Sequence, residues 1–256
     1  MQHRYNKPLR ILALAAILNF FAATTASAFS LDINLTGFTT SQEAIITQAE
    51  NYWESVITGY QTGITGISAI SIDASSTYID GSGGILGQAG PTWGFFEGGY
   101  LFASDGIMDF DSADISALEA AGTLYDVIVH ELAHIIGFGT LWTYNGVYVD
   151  DTGEYTGAAA LAAYQAEFDP TATFVPVELD GGDGTANAHW DESIDPNELM
   201  TGWLNSPTYV SNTTIASFID IGYTVNLATV PLPAAVWLFG SGLLALVGWS
   251  KRKQAA

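Results

Sequence analysis

Val127-Ile128-Val129-His130-Glu131-Leu132-Ala133-His134-Ile135-Ile136-Gly137 is the stretch on which the fold turns. Its apolar residues surround a helical wheel almost completely, so the spacing predicts a buried helix from near Thr123 through Ile136. Residues four apart project from one helix face, so the imidazoles of His130 and His134 can reach one metal ion. Glu131 lies between them, where its carboxylate can accept a proton from water held by that ion. Buried neutral imidazoles need partners, and a metal supplies one.

The rest of the histidine inventory is short. Of four histidines, His3 lies in the N-terminal segment, which leaves His189 as the remaining candidate. A catalytic zinc typically has three protein ligands and a water. His130, His134 and His189 therefore form a candidate set for one zinc ion, with Glu131 as general base. The chain has no cysteine. This excludes disulfides, a cysteine-based zinc site and a cysteine nucleophile.

Working outward, Leu31 to Phe38 alternates as a half-buried strand. Thr40 and Glu43 fit a capping box for a helix carrying Ile45, Ala49, Tyr52, Trp53 and Val56, which Gly59 can end. This helix is expected to back a sheet. Ile64 to Ala74 reads as a second strand, residues 81 to 99 as a glycine-rich loop or irregular edge, and Tyr100 to Phe110 as one or two strands. Asp109, Asp111 and Asp114 are oxygen donors close in sequence and make calcium a candidate second ion. They lack the spacing of a known calcium loop and read first as turn and helix-cap residues. Residues 139 to 188 look mostly irregular, with a helical stretch from Ala158 to Phe168. A last helix is expected over Thr213 to Ile221.

Both ends read as targeting segments. Arg4, Lys7 and Arg10 precede the apolar run Ile11 to Ala23, and Ala26-Ser27-Ala28 forms a small-x-small cleavage pattern. Residues 1–28 are therefore expected to be a signal peptide. At the other end Val230-Pro231-Leu232-Pro233-Ala234-Ala235 leads into an uncharged stretch and then Lys251-Arg252-Lys253. At ~1.5 Å per residue that stretch can roughly cross a bilayer as a transmembrane helix, basic end inside. The tail, residues 229–256, resembles the PEP-CTERM sorting signal of Gram-negative bacteria. That resemblance implies an exosortase as partner, and export to the outer envelope, biofilm matrix or medium. All six Lys and Arg lie in the two end segments, and all 27 Asp and Glu lie between them. A domain without a cation cannot face phosphates, so nucleic acid is excluded as a partner. Contact with a membrane is expected only through the C-terminal segment.

The run from His130 to Phe138, a long insertion, then Ala188-His189-Trp190-Asp191-Glu192 and Glu198-Leu199-Met200-Thr201-Gly202 resembles the leishmanolysin-like metallopeptidases, a branch of the metzincins. Gly137 falls where the metzincin motif makes a sharp turn. The usual third histidine position is Thr140, which cannot replace imidazole well. In the leishmanolysin-like branch the third ligand follows an insertion, and matches His189. Met200 matches the methionine of the turn beneath the metal, the Met-turn. Asp220-Ile221-Gly222-Tyr223 resembles the end of the helix after that turn. The resemblance implies an α+β domain over residues 29–228. It would have a twisted mixed sheet with a backing helix and an active-site helix, then a mostly irregular C-terminal subdomain with the Met-turn and a terminal helix. It further implies an exported zinc endopeptidase acting on protein or peptide substrates. The rival readings are a non-catalytic, zinc-stabilised surface or biofilm-matrix protein, and a zinc hydrolase of another class such as an amidase.

Overall fold

The computed structural model describes residues 28–227. The signal segment expected over residues 1–28, apart from Ala28, and the sorting segment expected over 229–256 lie outside the described residues. Among the described residues no helix is long and apolar enough to cross a membrane.

The chain forms a four-stranded mixed sheet in the order β1-β3-β5-β4, from β1 (Ser30–Thr36), β3 (Ala69–Thr77), β4 (Gly87–Glu97) and β5 (Tyr100–Asp111). β1, β3 and β5 run parallel, and β4 returns antiparallel along the edge. The alternation expected in β1 is present, with Leu31 buried, Ile33 and Leu35 partly buried, and Asp32, Asn34 and Thr36 facing water; β3 buries Ile70, Ile72 and Ala74 in the same way. Two helices lie together against the sheet, α1 (Thr40–Val56) and α3 (Leu124–Ile136), with α3 over β4 and β5. Trp53 of α1 is fully buried, and its indole N–H donates to the Val129 carbonyl of α3 at 2.9 Å. The backing helix and the histidine helix are thus joined by a hydrogen bond inside the core, where it is worth most.

Several boundaries differ from the sequence reading. The capping box of α1 uses Thr39 and Gln42, not Thr40 and Glu43. The adjacent threonines offer two registers. The observed one buries Gln42, whose amide also donates to Glu119 at 3.1 Å, and leaves Glu43 in water. The helix ends at Val56 rather than at Gly59, because Ile57 to Tyr60 form β2, paired with β8 (Tyr223–Val225). The second strand begins at Ala69. Ile64 and Ile67 still enter the core, but Thr65 and Gly66 donate their backbone N–H to the Glu97 carboxylate, both at 2.9 Å, which holds that segment as a turn. Residues 87 to 97, read as loop or irregular edge, form the edge strand β4, with register shifts on both sides of Trp93. Tyr100 to Asp111 is one strand, and a short helix α2 (Ile115–Ala121) follows it.

The calcium candidates are engaged by backbone N–H groups or, for Asp109, by a hydroxyl. Asp111 accepts from the N–H of Ile79, Asp80, Gly81 and Ala113, Asp114 accepts from Gly83, and Asp109 from the Ser75 hydroxyl. They fold the 79–85 loop onto the end of β5, and no calcium site is supported there.

After α3 the chain is mostly irregular, with β6 (Glu154–Tyr155), α4 (Ala158–Glu167), β7 (Val175–Pro176) and α5 (Asn212–Asp220). α4 and α5 cap each other. Glu167 accepts from the N–H of Asn212 and Thr213, and Asp220 from those of Ala159 and Ala160. Carboxylates at helix N-termini answer both the orphan donors and the helix dipole. No Lys or Arg falls within the described residues. Repulsion among the 27 acidic side chains is therefore relieved by neutral backbone and side-chain donors and by solvent ions, not by Lys or Arg. We expect the melting temperature to rise by several degrees, about 3–8 °C, as NaCl goes from ~10 mM to ~0.5 M. A flat or falling curve in differential scanning calorimetry would contradict this.

Candidate metal centre

α3 is an amphipathic exception, apolar on nearly every side. Val127, Ile128, Val129, Leu132, Ala133, Ile135 and Ile136 are all buried. His130 and His134, one turn apart, therefore project into the one opening that the helix leaves. Gly137 ends the helix at φ +132°, and a side chain there would meet Ile221 and Leu141. Thr140, at the usual metzincin third-ligand position, instead donates its hydroxyl to the His134 carbonyl at 2.7 Å.

The long excursion from 138 to 188 returns to the same point. The approach is close at Gly139: a Cβ there would lie 2.3 Å from the Ala188 carbonyl oxygen, so only glycine lets these two backbones touch. An aromatic cluster seals the junction. Trp142 and Trp190 stack at 4.7 Å, Phe138 meets Trp190 edge-on at 5.0 Å and Tyr155 meets it at 5.2 Å, and all four are fully buried. His189 is thereby delivered beside the helical pair.

The three imidazoles converge through Nε2, with each Nε2–Nε2 separation 3.0 Å. Each Nδ1 faces a backbone carbonyl: Leu199 for His130 (2.8 Å), Phe138 for His134 (3.0 Å) and Thr185 for His189 (2.9 Å). Carbonyl oxygens only accept, so each Nδ1 must carry the ring proton. The three Nε2 atoms are then bare lone pairs facing one another, and none can donate to its neighbours. That arrangement is repulsive unless a cation lies among them, and these separations suit an ion bonded to each nitrogen at ~2.0–2.1 Å. Among the described residues this is the one group of three or more His, Asp or Glu side chains placed to hold a metal. Burial and the neighbouring ring push His130 down to about 3, and burial likewise lowers His134 and His189, which keeps the rings neutral as ligands. Carbonyl-oriented imidazoles are the supporting arrangement that ligating histidines use.

Glu131 borders the same cavity, which encloses about 610 Å³ between α3, the start of β4 and the segments around residues 183–189 and 201–204. In the described structure no protein donor bonds its carboxylate. Burial pushes it up to about 8. A divalent cation beside it would draw that value back down.

Sequence reasoning missed Glu198. It is 1% exposed, and it accepts from the Met200 N–H (2.6 Å), the Ser211 N–H (3.0 Å), the Ser211 hydroxyl (2.9 Å) and the Thr214 hydroxyl (2.6 Å). Thr214 in turn accepts from the Trp190 indole at 2.8 Å. One buried carboxylate thus joins the residue after His189, the turn whose Leu199 carbonyl orients His130, and the N-terminus of α5. Met200 is fully buried, and its carbonyl accepts from the Trp190 N–H at 2.9 Å. Glu198 follows Asp195-Pro196-Asn197 in sequence, and nothing in that run separates it from a surface carboxylate. Glu198→Ala strands these donors, and we expect about 3 kcal/mol or more of lost stability in urea unfolding. A loss below ~1 kcal/mol would remove Glu198 from this role.

The comparisons with known proteins agree with this geometry. Residues 102–232, just over half the chain, match the family model described as leishmanolysin, and residues 229–253 match the PEP-CTERM protein-sorting motif. A leishmanolysin homolog of Crithidia fasciculata is 30% identical over 107 residues, covering 38% of this chain and 16% of that protein. The chain thus spans only a small part of that relative's length. The matched region contains α3, the return segment with His189 and the turn at Met200, and the chain belongs to the leishmanolysin family of peptidases.

Proposed function

We propose that this protein is an exported zinc-dependent endopeptidase, with His130, His134 and His189 as the metal ligands and Glu131 as the general base. The observation that carries the reading is the meeting of three bare imidazole nitrogens beside an unpartnered carboxylate in an open cleft. A purely structural zinc site needs no base and is ordinarily closed by a fourth protein ligand.

Bound there, zinc supplies a Lewis acid for the scissile carbonyl and brings the pKa of its water toward ~7. The chain's own residues do the rest. The Phe138, Thr185 and Leu199 carbonyls fix the ring tautomers, so the nitrogens facing the cleft are always acceptors. Glu131 takes a proton from the attacking water and later delivers it to the leaving amine. Met200 is assigned to the Met-turn, with Glu198 holding its N–H. The substrate lies extended along the outer edge of β4, which pairs with β5 on its other side, so strand addition is open to a peptide. Residues 1–28 are assigned to a signal peptide, 29–228 to the catalytic domain and 229–256 to the sorting segment read by an exosortase.

The test uses the purified protein with casein and with peptide libraries. Hydrolysis is expected to stop with chelator and return with zinc. Glu131→Gln should lower kcat at least ~10³-fold while one zinc per chain remains by metal analysis. His189→Ala should lose the zinc. Full activity in Glu131→Gln would overturn the assignment, and cleavage of non-peptide amides alone would favour the amidase reading.

A further inference from the structure

Beyond the zinc cleft the edge of β4 continues past a second cavity of about 430 Å³. Thr140 borders both cavities, and β4 runs along both, with Ala89 on the first and Gly90 to Gly94 on the second. The second is lined by Pro91, Trp93, Leu101, Leu141 and Tyr144, and no charged side chain borders it, in a domain that carries 27 carboxylates. Trp93 is 74% and Tyr144 72% exposed. Large rings left facing water in one place usually mark a surface that something covers.

We propose that this cavity is a distal substrate subsite, which takes an aromatic or aliphatic side chain of the extended peptide. The inference rests on the peptidase reading above. Gly87 marks the cleft end of the strand, because a Cβ there would come within 3.2 Å of the Glu131 carboxylate. Pro91 and Trp93 follow four and six residues later on the same strand. A peptide paired with that edge advances ~3.3 Å per residue, so the side chain in question lies about four to six residues from the bond cleaved.

Two features give the subsite a built character. The register of β4 shifts on both sides of Trp93, and such a bulge re-aims the side chain it carries. The loop bearing Tyr144 is tied to β5 by its neighbour: Asn145 accepts from the Leu101 N–H at 2.9 Å and donates to the Leu101 carbonyl at 3.1 Å. The amide of Asn145 thus pairs with β5 as a strand backbone would, and it fixes the loop whose Tyr144 borders the same cavity as Trp93 and Leu101. An uncharged, aromatic wall selects an apolar side chain over a charged one.

The experiment uses the zinc-loaded protein and two sets of internally quenched peptides. Short peptides span the cleft only. Long peptides share that core and carry a single Trp, Leu, Asn or Asp stepped about four to six residues from the cleaved bond, on either side. The expected result is one position at which Trp or Leu raises kcat/KM about tenfold over Asn. In Trp93→Ala and Tyr144→Ala the ratio of long-peptide to short-peptide rates should fall toward one. Both residues are exposed, so folding is not at stake, and matching thermal melts check this. If short peptides are cleaved but no position gives a gain, or the ratio survives both substitutions, the subsite is refuted and the peptidase reading stands. If wild-type protein cleaves no peptide, the peptidase reading fails and the subsite falls with it.

Discussion

Three imidazole nitrogens held 3.0 Å apart, each with its only proton committed to a carbonyl on the far side of the ring, is the constraint around which this domain is organised. Lone pairs do not gather unless the surrounding structure forces them or a cation rewards them. The carbonyls come from three separate places: the turn after α3, the return segment at Thr185, and the turn at Leu199. Each must be fixed before the nitrogens can meet. The aromatic cluster around Trp190 fixes the first two against each other, and the Glu198 network fixes the third. Both rest on α5, through Thr214, while α1 braces α3 itself through the bond from Trp53 to the carbonyl next to His130.

That scaffold has no Lys or Arg among the described residues, and this changes how carboxylates are used. The ones that matter structurally are satisfied by backbone N–H groups instead of by ion pairs. Asp111 and Asp114 gather a loop, Glu167 and Asp220 cap two helices reciprocally, and Glu198 collects amides and hydroxyls. Such bonds are directional, and they cannot be exchanged with a passing counter-ion as a surface salt bridge can. The place left for a strong positive charge is the gap between the histidines, where a metal ion fits. A metal there would be the single strong cation in an otherwise anionic field, and so would dominate the protonation of Glu131.

Much of this was legible in the sequence because it depends on local periodicity. The apolar wrap of residues 127–136 announces a buried helix. The four-residue spacing of its histidines announces a shared face, and the scarcity of histidine leaves His189 as the third partner. The strand expected over Leu31 to Phe38, which ends at Thr36, and the helices expected from Ala158 and from Thr213, the latter beginning at Asn212, follow from the same kind of pattern. What was not legible depends on partners distant in sequence. The edge strand β4 is rich in glycine and reads as a loop or an irregular edge, because its order comes from pairing with β5. The capping register of α1 is decided by Glu119, on another element. Glu198 becomes a buried hub only because Ser211 and Thr214 fold over it. Gly139 reads as one more turn glycine until Ala188 is seen against it.

The long excursion between His134 and His189 follows from the same argument. The entropy of closing a loop grows only logarithmically with its length, about 0.6 kcal/mol for each doubling, so an insertion of some fifty residues is inexpensive if its ends are held together. Here they are held by a backbone contact that only glycine permits and by stacked indoles that exclude water. Once closure is secured at Gly139 and Ala188, the chain between them, apart from the Thr185 carbonyl that orients His189, is free to build α4, which caps α5 and so steadies Thr214 and Glu198. The insertion therefore supports the centre it interrupts: the distance along the chain that hides the third histidine from a short motif also supplies the helix that caps α5 and, through it, holds the Glu198 network.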